Sequence, residues 1–266
     1  MKTVDLIIIV LTYRNYEDLK DLFASYSYSF GSLSVQTIVV DAYYNDECSI
    51  EIEKVARRNS ADYLRIPNKG YSFGNNYGIQ YANANYEYDY LIVSNADIEI
   101  KRFDKMLLDK LPKGVYGPTI QTKDGRLQNP MYCKRNLLSR KLVYKGFIEN
   151  SKFKFAVGII INKFQTKIQK RNLSYPNKVY QLHGSFLIFS KEAIDILQTV
   201  FDENMFLFAE ETYLSKILEN KNIPSYYVPE IEVFHKEDGS MQFNKELDTN
   251  LKESNVYVYE KYYGFR

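Results

Sequence analysis

Residues 5–12 read DLIIIVLT, a run with almost no polar interruption. A half-exposed strand alternates polar and apolar side chains, and a surface helix repeats its apolar positions every three or four residues. An unbroken run of this length fits neither and points to a strand buried on both faces. Strands of that kind lie in sheets covered by helices on both sides, which confines the chain to α/β architectures. The next hundred residues keep to this pattern. Asn15 has the character of an N-cap, ahead of Glu17 and Asp18 in a first turn and Leu19, Leu22 and Phe23 at helical spacing. Residues 37–41 (TIVVD) read as a second strand, 49–58 as a helix, 63–66 as a short strand and 73–83 as a helix. Residues 90–94 (YLIVS) read as a strand that runs into Asn95-Ala96-Asp97. Strands alternating with helices predict a parallel sheet with right-handed crossovers.

In such a sheet ligands bind beyond the carboxyl ends of the strands. Three strands here end in polar groups, at Thr12-Tyr13, Asp41 and Asn95 to Asp97. No GxGxxG follows the first strand and no GxxxxGK[ST] is present, so the usual phosphate-cradling loops are missing. A nucleotide bound at this edge needs its diphosphate neutralised in another way, and a metal held by carboxylates would do so.

The second half is patterned differently. Residues 114–120 read as a strand, and Lys123-Asp124-Gly125-Arg126 as a hairpin turn. Residues 181–190 read as an apolar strand or strand pair, 191–200 as a helix, and 225–228 and 231–234 as short strands ending at His235. A helix is expected over 242–263. The chain carries no internal repeat and no low-complexity linker, so its halves are expected to share one body.

Composition removes several classes. Two cysteines, Cys48 and Cys133, cannot build a disulfide framework, and two histidines leave too few ligands for a zinc cluster. The longest apolar runs fall far short of the ~20 residues that cross a bilayer, and the first residues lack a small-residue cleavage site. The expectation is an intracellular protein in a reducing compartment. A formal net charge of +2 hides an asymmetry: residues 134–171 hold 11 Lys/Arg and one acid, a local +10, leaving −8 for the rest. Apolar residues, among them Leu138, Phe147, Phe153 and Ile160, interleave with these charges. A nucleic-acid patch has no recognition motif to support it, and a solvated face is the simplest alternative. We read the segment as an interfacial amphipathic element suited to an anionic membrane surface.

Taken in order, several segments resemble glycosyltransferase family 2, whose members have the A-type fold, and within it the rhamnosyl- and galactofuranosyl-transferase-like branch. They are Thr12-Tyr13-Arg14-Asn15, Ile38 to Asp41 (IVVD), Asn68 to Ile79 (NKGYSFGNNYGI), Ser94-Asn95-Ala96-Asp97, Gly117-Pro118, Asp124 to Gln128 (DGRLQ), Gly184, Phe206 to Glu211 (FLFAEE) and Val233-Phe234-His235. The resemblance spans residues 4 to 236. It implies a Rossmann-like nucleotide-binding sheet, with residues 1–120 as the nucleotide-sugar-binding half. Residues 121–241 would form a mixed acceptor-binding half that includes the basic amphipathic helices, and 242–266 a C-terminal helix.

The resemblance also implies roles. Thr12, Tyr13 and Asp41 would hold base and ribose, and Asn68, Gly70, Asn76 and Asn95 would position the sugar nucleotide. Asp97 would ligate Mg²⁺ or Mn²⁺, with His235 completing the sphere or touching the diphosphate. Glu211 stands where the family has the Asp that serves as general base, with Glu210 the second candidate; His183 and Gly184 fall on the acceptor side. The sequence departs from the family in three places. Glu211 adds a methylene, Asn95 replaces a carboxylate, and Asp41-Ala42-Tyr43-Tyr44 replaces D-N-x-S. The activity implied is inverting, metal-dependent transfer from a dTDP- or UDP-sugar, dTDP-rhamnose by branch, to a cell-surface glycan on a polyprenyl carrier. The enzyme would be of a bacterial type, cytoplasmic and peripherally attached to the inner face of the membrane. Alternatives are an inactive sugar-nucleotide- or glycan-binding module and a sugar nucleotidyltransferase; the glycine-free turn after the first strand argues against the latter.

Overall fold

A computed structural model describes residues 1–237 and 245–266. Its first half alternates as the sequence pattern requires: β1 (Lys2–Thr12), α1 (Tyr16–Tyr26), β2 (Val35–Tyr43), α2 (Asp46–Arg58), β3 (Asp62–Pro67), α3 (Tyr71–Asn85) and β4 (Tyr86–Asn95). Then come β5 (Ile98–Arg102), α4 (Lys105–Asp109), β6 (Val115–Thr122), α5 (Leu137–Ile148), α6 (Lys152–Arg171) and β7 (Lys178–Val179). The chain ends with β8 (Phe186–Ser190), α7 (Lys191–Leu197), α8 (Glu210–Asn220), β9 (Ser225–His235) and α9 (Lys245–Tyr263). The C-terminal helix was expected from residue 242; residues 242–244 lie outside the described ones.

Among the described residues the strands join one nine-stranded sheet in the order β3-β2-β1-β4-β8-β6-β9-β5, with β7 added beside β9. β1 runs parallel to β2 and β4, and β2 to β3. β8 lies antiparallel between β4 and β6, β6 is parallel to β9, and β5 is antiparallel to β9. The sheet is therefore mixed. β1 explains why the opening run lacks alternation. Ile7 and Ile9 face one apolar cluster, shared with Ile79 and Ala82 of α3 and Leu214 and Leu218 of α8. Leu6, Ile8 and Val10 face a second cluster, with Leu19 and Leu22 of α1 and Ile52 and Val55 of α2. Each burial removes apolar surface from water on its own side, at about 25 cal/mol per Å².

α1 starts where its cap predicts, with the Asn15 side chain accepting from the Asp18 N–H at 3.1 Å. A third cluster of Val143, Tyr144, Tyr259 and Phe265 ties α5 to the C-terminal helix, apart from the sheet. No helix among the described residues is long and apolar enough to cross a membrane.

Strand direction decides where the chemistry gathers. The carboxyl ends of β1, β2, β4, β6 and β9 share one edge, and the chain enters β5 and β8 from that same edge. Registers fix the neighbours: Thr12 opposite Asp41, Leu11 opposite Asn95, Ile98 and Thr122 each opposite His235.

Candidate functional site

The first group at this edge is Asp97 and His235. Asp97 occupies the turn between β4 and β5, and its carbonyl accepts from the Lys236 N–H at 3.0 Å, so the turn is pinned to the end of β9. Both side chains are largely buried, and Asp97 Oδ2 lies 3.3 Å from His235 Nε2. The other imidazole nitrogen, Nδ1, is 2.8 Å from Gln128 Oε1. Gln128 cannot turn its amide around, because its Nε2 donates to Glu237 Oε1 at 2.8 Å, and Glu237 in turn accepts from Arg126 at 2.8 Å. His235 must therefore donate from Nδ1. A neutral ring then presents a bare Nε2 lone pair to a carboxylate oxygen. Two lone pairs at that distance repel unless a proton or a cation lies between them.

This pair suits a hard divalent ion. Cis ligands on an octahedral ion at about 2.1 Å stand roughly 3 Å apart, close to the spacing found here. Among the described residues no group of three His, Cys, Asp or Glu converges on one point. Asp97 and His235 could give such an ion two ligands at most, and it would take the rest from a bound ligand and water. Asn95 adds no charge to the set. It is half-buried, and its N–H donates to the Ser185 carbonyl at 2.9 Å, which anchors the β4 end to the entry of β8.

His183 links this pair to the carboxylates of α8. Its ring centroid is 5.9 Å from that of His235. Its Nδ1 accepts the Ser185 N–H at 3.2 Å, which leaves the neutral ring's proton on Nε2. Burial holds its pKa below the usual histidine value, and the charge of Glu211 opposes that shift. Asn129 Oδ1 accepts from the His183 N–H at 2.8 Å, so the segment after the 123–126 turn positions both histidines.

Glu211 follows directly. Its Oε1 accepts from the Gly184 N–H at 3.1 Å, and a Cβ on Gly184 would sit 2.9 Å from that oxygen. Gly184 is the residue that lets the carboxylate approach the backbone. Its carbonyl accepts from the Tyr71 hydroxyl at 2.9 Å, while the Tyr71 N–H donates to the Phe206 carbonyl at 2.8 Å. Gly70 permits this second contact: its φ is +95°, and a Cβ there would stand 2.1 Å from Phe206 O. Phe208 and Ala209 are both left-handed, at φ +73° and +67°, and this strained step delivers Glu210 and Glu211 to the start of α8.

The two glutamates differ in surroundings. Glu210 is buried, and among the described residues its Oε1 has no hydrogen-bond partner. Burial first, and the Glu211 charge second, push its pKa up to about 8. Glu210 is therefore mostly neutral at pH 7, whereas Glu211 is half-buried and held by a backbone donor.

Thr12, Tyr13 and Asp41 form the far end of the edge. Asp41 is buried and accepts from the Tyr63 hydroxyl at 2.7 Å. Thr12 turns its hydroxyl to the Asn15 carbonyl at 3.0 Å. Tyr13 meets Tyr44 edge-on at 5.6 Å, and the Arg14 guanidinium lies 4.4 Å above the Tyr44 ring. Aromatic rings under a cation thus occupy the place where the resembling family has small polar residues. Asn68 is exposed and accepts from the Gly70 N–H at 3.2 Å, shaping the turn into α3. Asn76 stands apart from the edge. Its amide donates to Phe201 O and Glu203 Oε1 and accepts from the Phe201 N–H, which commits both ends to holding the 201–203 loop.

Sequence reasoning gave no role to Gln128, Asn129, Tyr71 or Tyr44. The signal for the first two was their place just after the 123–126 turn, Gln128 closing the DGRLQ stretch quoted for its resemblance and Asn129 following it. That resemblance named a pattern without its partners.

Comparison with solved structures now decides the fold. S. aureus TarS superposes with a TM-score of 0.55 at 14% identity, over 87% of this chain and 36% of TarS. TarS residues 1–349 in complex with UDP-GlcNAc give 0.55 at 13% identity, over 89% of this chain and 60% of that one. The mannosyltransferase PcManGT of Pyrobaculum calidifontis, in complex with GDP-Man and Mn²⁺, gives 0.52 at 11%, over 88% and 57%. The chain has the glycosyltransferase A-type fold. No family model matches it. By sequence, 101 residues are 34% identical to the low-salt glycan biosynthesis hexosyltransferase Agl10 of Haloferax volcanii. That alignment covers 38% of this chain and 30% of Agl10, so the chain spans less than a third of the curated relative it matches. Within the A-type fold, the edge carrying Asp41, Asp97 and His235 lies beyond the carboxyl ends of the strands, where α/β sheets bind ligands.

Proposed function

We propose that this protein is an inverting glycosyltransferase that takes its sugar from a nucleoside diphosphate, dTDP or UDP, and gives it to a glycan acceptor. The observation that carries this reading is the line of groups from Asp97–His235 through His183 to Gly184–Glu211. One end suits a divalent ion with a diphosphate, and the other presents a carboxylate able to accept a proton. Asp41, Thr12 and the Tyr13–Tyr44 rings would receive ribose and base.

In single-displacement transfer an acceptor hydroxyl attacks the anomeric carbon on the face opposite the diphosphate. Glu211 removes the hydroxyl proton as the new C–O bond forms and the bond to the diphosphate breaks. Glu210, mostly neutral at pH 7, is unsuited to that role. His183 offers its Nε2–H as a hydrogen-bond donor between the two ends. Mg²⁺ or Mn²⁺ held by Asp97 and His235 would neutralise the negative charge on the departing diphosphate. The acceptor we favour is a cell-surface glycan on a polyprenyl carrier, and by branch resemblance the donor is dTDP-rhamnose. The names of the relatives accord with this reading: Agl10 is called a glycan hexosyltransferase, TarS was captured with UDP-GlcNAc, and PcManGT with GDP-Man and Mn²⁺.

The test is thermal stabilisation by UDP, dTDP, GDP and CDP, each with and without Mn²⁺, on wild type and Asp97→Ala. Ligand at a hundred times its dissociation constant stabilises by about 2.7 kcal/mol. The expected result is a Mn²⁺-dependent shift with one pyrimidine diphosphate that is absent in Asp97→Ala. No shift with any of the four would sink the reading.

A further inference from the structure

α6 is twenty residues long, and Gly158 is its sole buried residue. Its inner face is well defined. Phe155 and Ile159 pack on the cluster around Val143 and Tyr144, and Ser139 Oγ donates to the Gly158 carbonyl at 2.8 Å. Asn162 and Thr166 both donate to the Met131 carbonyl, at 3.2 and 3.3 Å. At 3.6 residues per turn the opposite face carries Phe153, Val157, Ile160, Phe164 and Ile168, spaced by four, three, four and four. These are the apolar residues that a soluble helix would hide. Phe153 is 77% exposed, Ile160 64%, Phe164 66% and Ile168 46%. The stripe they form is about 22 Å long.

Charge decides what covers it. α6 holds six Lys/Arg and no acid. Lys154 is paired with Glu149, and Lys170 turns inward to the Asn129 carbonyl at 2.9 Å. Lys163 and Lys167 are exposed beside the stripe, and among the described residues neither has an ion pair. A second copy of the chain laid stripe to stripe would bring these lysines against their own kind. An anionic lipid surface instead satisfies both features at once, taking the apolar ridge into the acyl boundary and the ammonium groups among phosphates.

We propose that the outer face of α6 is a docking surface for an anionic lipid bilayer. The helix lies in the interface and does not span it. Its inner face is bonded to Asn129 and Met131, in the segment that also carries Gln128 beside His235. A membrane seated on α6 thus has a fixed orientation relative to the sheet edge. The inference rests on the surface of α6 alone and stands or falls separately from the transferase reading.

The test is co-sedimentation of the full chain with phosphatidylcholine vesicles, with and without about a third phosphatidylglycerol. Wild type pellets with the anionic vesicles and stays in the supernatant with phosphatidylcholine alone. Ile160→Asp/Phe164→Asp, shown by its melting curve to be folded, stays in the supernatant with both. Lys163→Gln/Lys167→Gln weakens partitioning by roughly 30-fold, each lysine near the surface being worth a factor of about five. The proposal is overturned if wild type ignores anionic vesicles. Pelleting of the folded Ile160→Asp/Phe164→Asp variant also overturns it. So does a wild-type dimer that this variant dissociates, because the face then belongs to a second copy.

Discussion

At the scale of single residues, the adjacent glutamates are the sharpest case of one side-chain type placed in two environments. Nothing in the string FAEE separates them. The separation comes from the left-handed pair Phe208–Ala209, which turns Glu210 into the interior and Glu211 toward the Gly184 N–H. Replacing Glu211 with Gln keeps the hydrogen bond and removes the basicity. We expect a fall in kcat on the order of 10²- to 10⁴-fold, with nucleotide affinity unchanged. A steady-state assay beside a titration calorimeter reads both, and unaltered turnover would remove Glu211 from the base role. Glu210 predicts a pH effect on stability. Its carboxyl titrates near the ordinary 4.5 when unfolded and at about 8 when folded. Between those values the folded state holds the extra proton, so stability falls as pH rises through that window and levels off above it. Glu210→Gln abolishes this slope. Its Tm matches wild type near pH 4.5 and exceeds it by about 5 °C or more near pH 9. Parallel pH profiles for the two proteins would refute the assignment. The histidine pair was legible as two positions, but the tautomer of His235 was not, because it depends on Gln128, more than a hundred residues earlier in the chain, whose amide is oriented by Glu237.

At the scale of elements, legibility followed the source of each element's stability. β1, β2 and β4 could be read because burial on both faces writes an apolar run into the chain. The start of β4 at Tyr86 was missed, since Tyr86-Glu87-Tyr88-Asp89 alternates like a half-exposed segment. β5, α4 and β7 were not foreseen. They have five, five and two residues, too few for a periodic pattern, and the two strands exist through pairing with β9. The two short strands read over 225–234 are one strand, β9, whose pairing with β6 shifts register between Pro118 and Thr119. Loops 68–71 and 206–211 meet at one backbone contact, Tyr71 N–H to Phe206 O, and the positive φ of Gly70 makes it possible. Gly70→Ala must break that contact or distort it, at a cost of about 2 kcal/mol or more, read as a lower denaturant midpoint. Gly184→Ala is subtler. The added methyl displaces the Glu211 carboxylate by a few tenths of an ångström while the sheet is untouched. We expect a loss in kcat of up to about 10²-fold with Tm nearly unchanged. Equal losses in stability and turnover would show that the glycine serves only packing.

At the scale of the molecule, two kinds of packing coexist. The sheet is sealed by helices on both faces, and strands β1, β4 and β8 at its centre have residues with no measurable exposure, such as Ile8, Leu91 and Ile188. α5 and α6 instead rest on a small separate cluster joined to α9. Arg140 clamps that unit from within. It is fully buried, 4.4 Å from the Tyr132 ring centroid and 5.0 Å from that of Tyr263, and it donates to Gln181. Opening the unit exposes little apolar area compared with opening the sheet, so it costs less free energy. Amide hydrogen exchange should therefore show two tiers. Amides of β1, β4 and β8 exchange only through global unfolding, and those of α6 exchange through a local opening that responds weakly to denaturant. A nucleoside diphosphate with Mn²⁺ slows exchange at the strand-end turns around residues 12–15, 95–98 and 183–185 and leaves the α6 tier where it was. Uniform protection across both tiers would mean that the cluster around Tyr144 and the clamp at Arg140 make α6 part of a single cooperative core. Slowing of α6 by nucleotide alone would mean that the strand-end edge and the outer helix are energetically coupled through the Asn129–Met131 segment that contacts both.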